Sequence, residues 1–434
     1  MAQIEIAMTV SGSTYYISDS DYASPDGNFY QGLVSQAPIV SMGATSGGYI
    51  SVQQGTVILN NDPDNASGPF GSTRYATLLA TPGPYDCTIK YDTKYPMFSG
   101  TVVLEEISND QLRFSFQPTS YSNQAISVVT DSDGNSQYNP FSHGVITNRQ
   151  PLIQTGSQAF RNPSLNTSET VTVFEEGTNR FSSDTSTTIT TSGYNGGQVV
   201  VSGTGANGTT VETFFDYVAN TLSLGVTTAE TTKTSSASSR AIHLYSNKPQ
   251  LLTELASEVA RSVNHEFYIL PNPTTGATTL YLIDRANSPT ATQLSDHNVV
   301  GSSYTLGFPI QAVEGTWRAT QRKGSQLQTL DITARSENVS VGQVLSIPML
   351  ADTVAQVSNI TTILNETRDV EKKPQASITV SDIKTDYYPG DRFKLDRSED
   401  QITIDMIART ITWDFNNKTT NIKGDATLSE LVTQ

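Results

Sequence analysis

The run from Tyr387 to Leu428 constrains the fold more than any other part of the chain, because it spells out one antiparallel β unit from turn to turn. Tyr388-Pro389-Gly390-Asp391 is a turn: proline fixes φ at one position and glycine is free to take φ > 0 at the next. Arg392-Phe393-Lys394-Leu395 then alternates polar and apolar, and a charged turn follows at Asp396 to Asp400. The long run to Phe415 puts Ile402, Ile404 and Met406 on one face. It returns to alternation with Ile407, Ile411, Trp413 and Phe415 after a phase slip of the kind a β-bulge produces. Asn416-Asn417 turns the chain, and Thr420 to Asp425, with Gly424 inside it, starts a last strand. This is the pattern of a sheet that folds over itself, and it holds no arrangement of residues that does chemistry.

Residues 1–125 read as almost purely β, with strands expected near 4–10, 49–59, 86–91, 98–107 and 111–117 between Gly, Pro, Asp and Asn clusters such as Pro82-Gly83-Pro84. Residues 126–209 are polar and turn-rich, as in a surface insertion or long hairpins. Three helices are expected. In Thr210–Leu224 the residues Val211, Phe214, Phe215, Val218 and Leu222 recur at helical spacing. The second, Leu251–Val263, carries a stripe of Leu251, Leu252, Leu255, Val259 and Val263, and the third, Thr353–Leu364, has Asp352 as its cap. Each stripe is a face that a helix beside a sheet must bury.

The order of a proline-glycine-aspartate turn, a short strand, a long strand ending in an aromatic pair and a strand with glycine resembles the C-terminal domain of tail hub proteins of tailed bacteriophages, also called tail tip or baseplate hub proteins. The helix Leu251–Val263 followed by His265–Ile269 and Thr279–Arg285 is similar to a helix-hairpin unit that these proteins carry in mid-chain. The resemblance covers residues 210–430 well and 1–125 loosely. It implies a mainly β, multi-domain fold with a small α+β part: two tube-type β barrels or sandwiches plus a helix-hairpin domain. The divisions fall at 1–125 (N-terminal barrel-like), 126–209 (turn-rich insertion), 210–305 (helix-hairpin) and 306–434 (C-terminal barrel-like, with one helix).

The resemblance also implies a non-enzymatic virion protein at the tail tip. In this family three chains form a homotrimer whose barrels make a pseudo-sixfold ring, joining the sixfold tail tube to the threefold tip and forming the channel for DNA ejection. The implied partners are the distal tail or tail tube protein, the tape-measure protein and tail fibre or spike proteins. DNA would pass through the lumen without specific binding.

Charge agrees with this expectation. The 434 residues include 42 Asp and Glu against 26 Lys and Arg, a net charge of −16, whereas proteins that hold nucleic acid by counterion release are basic. The single cysteine, Cys87, excludes an intrachain disulfide, and its alternation with Tyr85, Ile89 and Tyr91 reads as a core thiol. Residues 1–10 have neither the basic start nor the unbroken apolar run of a secretion signal, and no window approaches the ~18 apolar residues of a membrane span. The expected place of synthesis is the host cytoplasm, with no stable membrane insertion.

A search for chemistry assigns no catalytic, metal-binding or cofactor-binding residue, and no cofactor. Gly203-Thr204-Gly205-Ala206-Asn207-Gly208 between Val199-Val200-Val201 and a helix, with Glu230 further on, has the spacing of a dinucleotide fingerprint but no succession of parallel βαβ units; it reads as a glycine turn. His143, His243, His265 and His297 are too scattered for a metal pair. Asp131-Ser132-Asp133-Gly134-Asn135 starts like a calcium loop, yet its glycine comes early and no closing glutamate follows, so a hairpin turn is expected. Two other classes stay open. One is a carbohydrate-binding receptor or fibre-tip protein, suggested by Thr14-Tyr15-Tyr16 and Tyr121-Ser122-Asn123; the other is an enzyme, dinucleotide-binding or a cell-wall hydrolase.

Overall fold

The computed structural model describes residues 3–44, 50–60, 83–92, 97–108, 110–118, 252–271, 278–305 and 357–430, with further strands and one helix between 128 and 242 and between 310 and 349. The fold is mainly β, multi-domain and sparing of helix.

In the N-terminal sheet, Ser13–Ser18, Ile4–Val10, Tyr85–Tyr91, Phe98–Ile107, Gln111–Pro118 and Thr56–Asn60 lie side by side in that order. One continuous segment closes it. Gln31 and Gly32 pair in parallel with Ile17 and Ser18 at one end, while Val34 and Gln36 pair with Leu59 and Ile58 at the other. Asn60 N–H also donates to the Leu33 carbonyl at 2.7 Å. A strand bonded to both ends of a sheet makes a barrel with no free edge around its wall. The alternating residues Ile6, Met8, Cys87, Ile89, Val102, Phe114 and Leu59 are buried in one core, with Met8 opposite Cys87 and Leu112 opposite Leu59. Burial pushes the Cys87 thiol pKa well above its ordinary value, as expected of a packed core thiol.

The C-terminal sheet runs Ala291–Leu294, Arg392–Arg397, Ile402–Asp414, Thr419–Glu430, Gln375–Ser381, Val299–Thr305. Laid flat, its outer strands would be about 24 Å apart at about 4.8 Å per spacing. Yet residues 295–298 alone connect them, a reach of at most about 18 Å. Curling resolves the conflict. Arg397 is level with Ile402 and Glu430, and Ser302 with Ile378 and Ile422, but Arg397 Nη1 donates to Ser302 Oγ at 2.5 Å. The sheet therefore meets itself with a stagger of eight residues (430 against 422), which is the tilt that barrel closure requires.

The two barrels share strands. Residues 49–59, expected as one strand, are two: Ile50–Gln54 and Thr56–Asn60. The break is at Gly55, whose N–H donates to the Ile39 carbonyl at 2.8 Å. Thr56–Asn60 stays in the N-terminal barrel. Ile50–Gln54 instead forms a hairpin with Ile39–Ala44, which pairs with Thr410–Asp414 of the C-terminal sheet. One hydrophobic core accordingly runs through both barrels.

A second core belongs to the helical unit. Helix α1 (Val211–Thr221) and helix α2 (Leu252–Ser262) pack on the hairpin His265–Pro271 and Thr278–Asp284, and bury Val211, Phe214, Phe215, Val218, Leu255 and Val259. The third helix differs from expectation. Helix α3 covers Val357–Glu371, so it continues seven residues past Leu364; residues 352–356, including the expected Asp352 cap, lie outside the described residues. Its continuation through Asn365-Glu366-Thr367-Arg368 is polar and gives no apolar stripe to read, but Val370 at the far end is buried. Residues 310–323, 326–335 and 343–349 form another sheet, joined in parallel to Ile153–Gln154 at Arg322.

Candidate functional site

The junction where the long strand Ile402–Asp414 changes neighbours organises the molecule. Its first half pairs with Arg392–Arg397 and its second with Ile39–Ala44. The switch is a bulge: Ala408 faces Gly424 and Thr410 faces Lys423, leaving Arg409 as the extra residue. The phase slip thus falls at Arg409 rather than between Met406 and Ile407. Ile404, Met406, Ala408, Ile411 and Trp413 share the core face, and Ile407, opposite Asp425, is buried on the other.

The Pro-Gly turn closes on this bulge. Gly390 has φ +89°, and Asp391 N–H donates to the Tyr388 carbonyl at 3.1 Å. Gly390 N–H then donates to the Ala408 carbonyl at 2.8 Å, and Ala408 N–H donates to the Asp391 carbonyl at 2.8 Å. Across the ladder, a Cβ on Gly424 would lie 1.9 Å from the Ile407 carbonyl oxygen, so only glycine fits beneath the bulged strand.

Arg409, directed away from that core, enters a buried ion network. Its Nε donates to Asp425 Oδ2 at 2.6 Å, its Nη2 to the Arg285 carbonyl at 3.1 Å, and its Nη1 lies 3.6 Å from Glu266 Oε2. Arg285 reaches Glu266 at 3.4 Å and Glu371 at 2.8 Å, and Gln375 donates to Asp425 at 2.5 Å. Burial opposes the charge on Arg285; Glu266, Glu371 and Asp425 more than offset it and raise the guanidinium pKa. The helical hairpin, the end of α3 and the C-terminal barrel are pinned together at this point. Among the described residues no group of His, Cys, Asp or Glu is arranged to hold a metal ion.

Two further contacts tie the barrels together. Asn416 accepts a hydrogen bond from Ala37 N–H at 2.8 Å and donates one to the Ala37 carbonyl at 2.7 Å. Tyr91 packs against Phe415, and within the C-terminal barrel Trp413 Nε1 donates to the Lys384 carbonyl at 2.8 Å.

The residues singled out in the sequence do not converge on one site. His265 is buried at the start of its strand, its Nδ1 2.8 Å from the Val263 carbonyl, whereas His297 is exposed. His143, His243, Glu230, residues 203–208, Asp131–Asn135 and Tyr121–Asn123 lie outside the described residues. Val199–Ser202, the strand before the glycine motif, pairs antiparallel with Thr172–Glu175, unlike the parallel strand of a dinucleotide fold. Tyr16 packs edge-on against Tyr30, which stacks on Tyr22, and Tyr22 donates to buried Glu5; these rings are occupied with one another. Among the described residues no helix is long and apolar enough to cross a membrane.

Sequence reasoning passed over the ion network. Its signals were present: Glu266 is a carboxylate inside an apolar strand, and Arg409 is the charge at the phase slip.

The fold and junction define a mainly β scaffold of two interlocked barrels with a docked helical unit. No protein-family model matches the chain, and no curated protein matches its sequence. Solved structures similar to it include phage tail proteins and a component of a type VI secretion system. A tail protein from Neisseria meningitidis aligns at 9% identity over 97% of this chain and 96% of that one, with a TM-score of 0.47. The 43 kDa tail protein of prophage MuSo2 from Shewanella oneidensis aligns at 11% identity over 97% of each chain, TM-score 0.46. Prophage tail protein gp18 from Listeria monocytogenes aligns at 9% identity over 97% and 94%, TM-score 0.40.

Proposed function

We propose that the chain is a tail hub of a tailed bacteriophage: a non-enzymatic virion protein that assembles as a homotrimer and joins a sixfold tail tube to a threefold tail tip. One observation carries the reading. A single chain builds two curled barrels of similar strand number, locked by the pairing of Ile39–Ala44 with Thr410–Asp414. Three such chains around an axis present six barrels, which matches a sixfold ring to threefold symmetry. The division of the chain at 1–125, 126–209, 210–305 and 306–434 belongs to this proposal, with the strands Ile39–Ala44, Ala291–Leu294 and Val299–Thr305 crossing those divisions to join the C-terminal sheet, and so do its partners: the tube or distal tail protein, the tape-measure protein and the fibre or spike proteins. DNA then passes a lumen that is neutral to acidic, in keeping with the net charge of −16.

Imaging of virions tests the reading. Three copies around the tail axis at the tip are expected; density on a peripheral fibre would overturn it, as would tight duplex-DNA binding by the purified chain at physiological salt.

A further inference from the structure

The two barrels repeat one another in chain order. Val34–Gln36, Thr56–Asn60, Tyr85–Tyr91, Phe98–Ile107 and Gln111–Pro118 occur in that order in the first, and Val299–Thr305, Gln375–Ser381, Arg392–Arg397, Ile402–Asp414 and Thr419–Glu430 in the second. Each set pairs antiparallel throughout and in the same lateral order: third strand, fourth, fifth, second, first. A Pro-Gly pair with its glycine at positive φ leads into the third strand of each, at Gly83 (φ +118°) and at Gly390 (φ +89°). The long fourth strand carries its one-residue bulge seven residues after its start in both, at Glu105 and at Arg409.

The correspondence extends to the excursion that joins the first and second strands of each set. It opens on Pro38 before Ile39–Ala44 in one barrel and on Pro309 before Ile310–Lys323 in the other. The first excursion makes the contact between barrels: Ile39–Ala44 pairs with Thr410–Asp414, where the long strand of the second barrel runs on past its short neighbour. The long strand of the first barrel overruns its own short neighbour in the same way. Its pairing with Tyr85–Tyr91 ends at Val102, so beyond the closed wall the edge of residues 103–107 has no backbone partner on that side among those described. The second excursion has an open edge too. Glu314 is paired on both sides, with Arg335 and with Ser346, whereas residues 310–313 are flanked only on the side of Gln343–Met349.

We propose that the contact made once inside the chain is made again between chains: residues 310–313 of one copy lie antiparallel along residues 103–107 of the next, as Ile39–Ala44 lies along Thr410–Asp414. The proposal rests on the trimeric reading above and names its seam. The repeat selects a second copy as the occupant. Each chain has two donor strands and two acceptor edges, and one of each is used within the chain. The donor left over belongs to the second barrel and the acceptor left over to the first. A ring in which the barrels alternate brings those two together at every joint between chains, and such a heterologous contact closes when the rotation returns to the first copy. Glu105, 3.5 Å from Arg113, and Glu106 stand at the acceptor edge, and Ile310-Gln311-Ala312-Val313 brings no further carboxylate to them.

The test places one cysteine at each edge of the full-length chain, Glu106→Cys and Gln311→Cys; the native Cys87 is buried and stays out of the reaction. A short bismaleimide is applied to the oligomer that sedimentation velocity isolates, or to assembled tails where the purified chain is monomeric. The double variant should give covalent dimers and trimers and nothing larger, and each single variant only monomers. Amide exchange of the unsubstituted chain is the second readout. Assembly should slow the amides of residues 103–107 on the order of tenfold or more and leave those of Thr410–Asp414, already paired within the chain, unchanged. Cross-linked dimers from a single variant would overturn the seam while leaving the trimeric reading in place. So would trimers in which the double variant stays uncross-linked and residues 103–107 exchange at the monomer rate. A chain that is monomeric in solution and forms no trimer in tails would overturn both.

Discussion

The two barrels close in different ways. In the N-terminal barrel a single segment, residues 29–36, is bonded through its backbone to both ends of the sheet, and the described wall has no open ladder. In the C-terminal barrel the seam is bridged by side chains: Arg397 to Ser302, with Asp296, Glu399 and Asp400 around the same guanidinium. Backbone closure spends every donor and acceptor inside the molecule. Side-chain closure leaves the barrel's shape dependent on a bulge and on the charges behind it.

The largest loss is expected on removal of the charge that anchors the bulge. Asp425→Ala leaves Arg409 buried without its nearest carboxylate, and urea denaturation should show a loss of about 3–5 kcal/mol. A loss no larger than that of an exposed pair would remove the distinction between the barrels. Gly424→Ala drives a Cβ into backbone, which cannot yield as a flexible side chain can, and should cost about 3 kcal/mol. Gly301→Ala, in the edge strand, meets nothing within 4 Å and serves as the control with little change in melting temperature.

The link between barrels is weaker. Asn416→Ala removes both hydrogen bonds to Ala37 and should cost about 1–2 kcal/mol, with faster amide exchange in residues 37–44 as the local readout. Smaller still is the wall pair of Arg392 and Asp405, held by two hydrogen bonds at 2.8 and 2.6 Å. The hydrogen bond from Arg392 lowers the Asp405 pKa, so its stabilisation is present above the unfolded carboxylate value and is lost as pH falls through the lower folded value. Asp405→Asn should flatten the acid limb of the stability curve, with a change of about 1 kcal/mol or less at neutral pH.

Alternation and turn chemistry were legible in the sequence, because strand faces and turn φ values are properties of a few neighbouring residues. Ile4–Val10, Phe98–Ile107 and Arg392–Arg397 match their expected strands closely, and the Pro389-Gly390 turn has its positive φ. The order of these same local signals is what carries the resemblance to phage tail hub proteins.

Position along the chain does not reveal which strand joins which sheet, since a ladder forms between any two edges of matching register. Only the tertiary structure decided that Gly55 divides one apolar run between two barrels, that the slip in the long strand falls at Arg409, and that α3 extends to Glu371. The same holds for the charges. Glu266, Arg285, Arg409 and Asp425 are ordinary residues of ordinary strands and turns until folding brings them from distant parts of the chain into one low-dielectric site, where each must be paired to be buried at all.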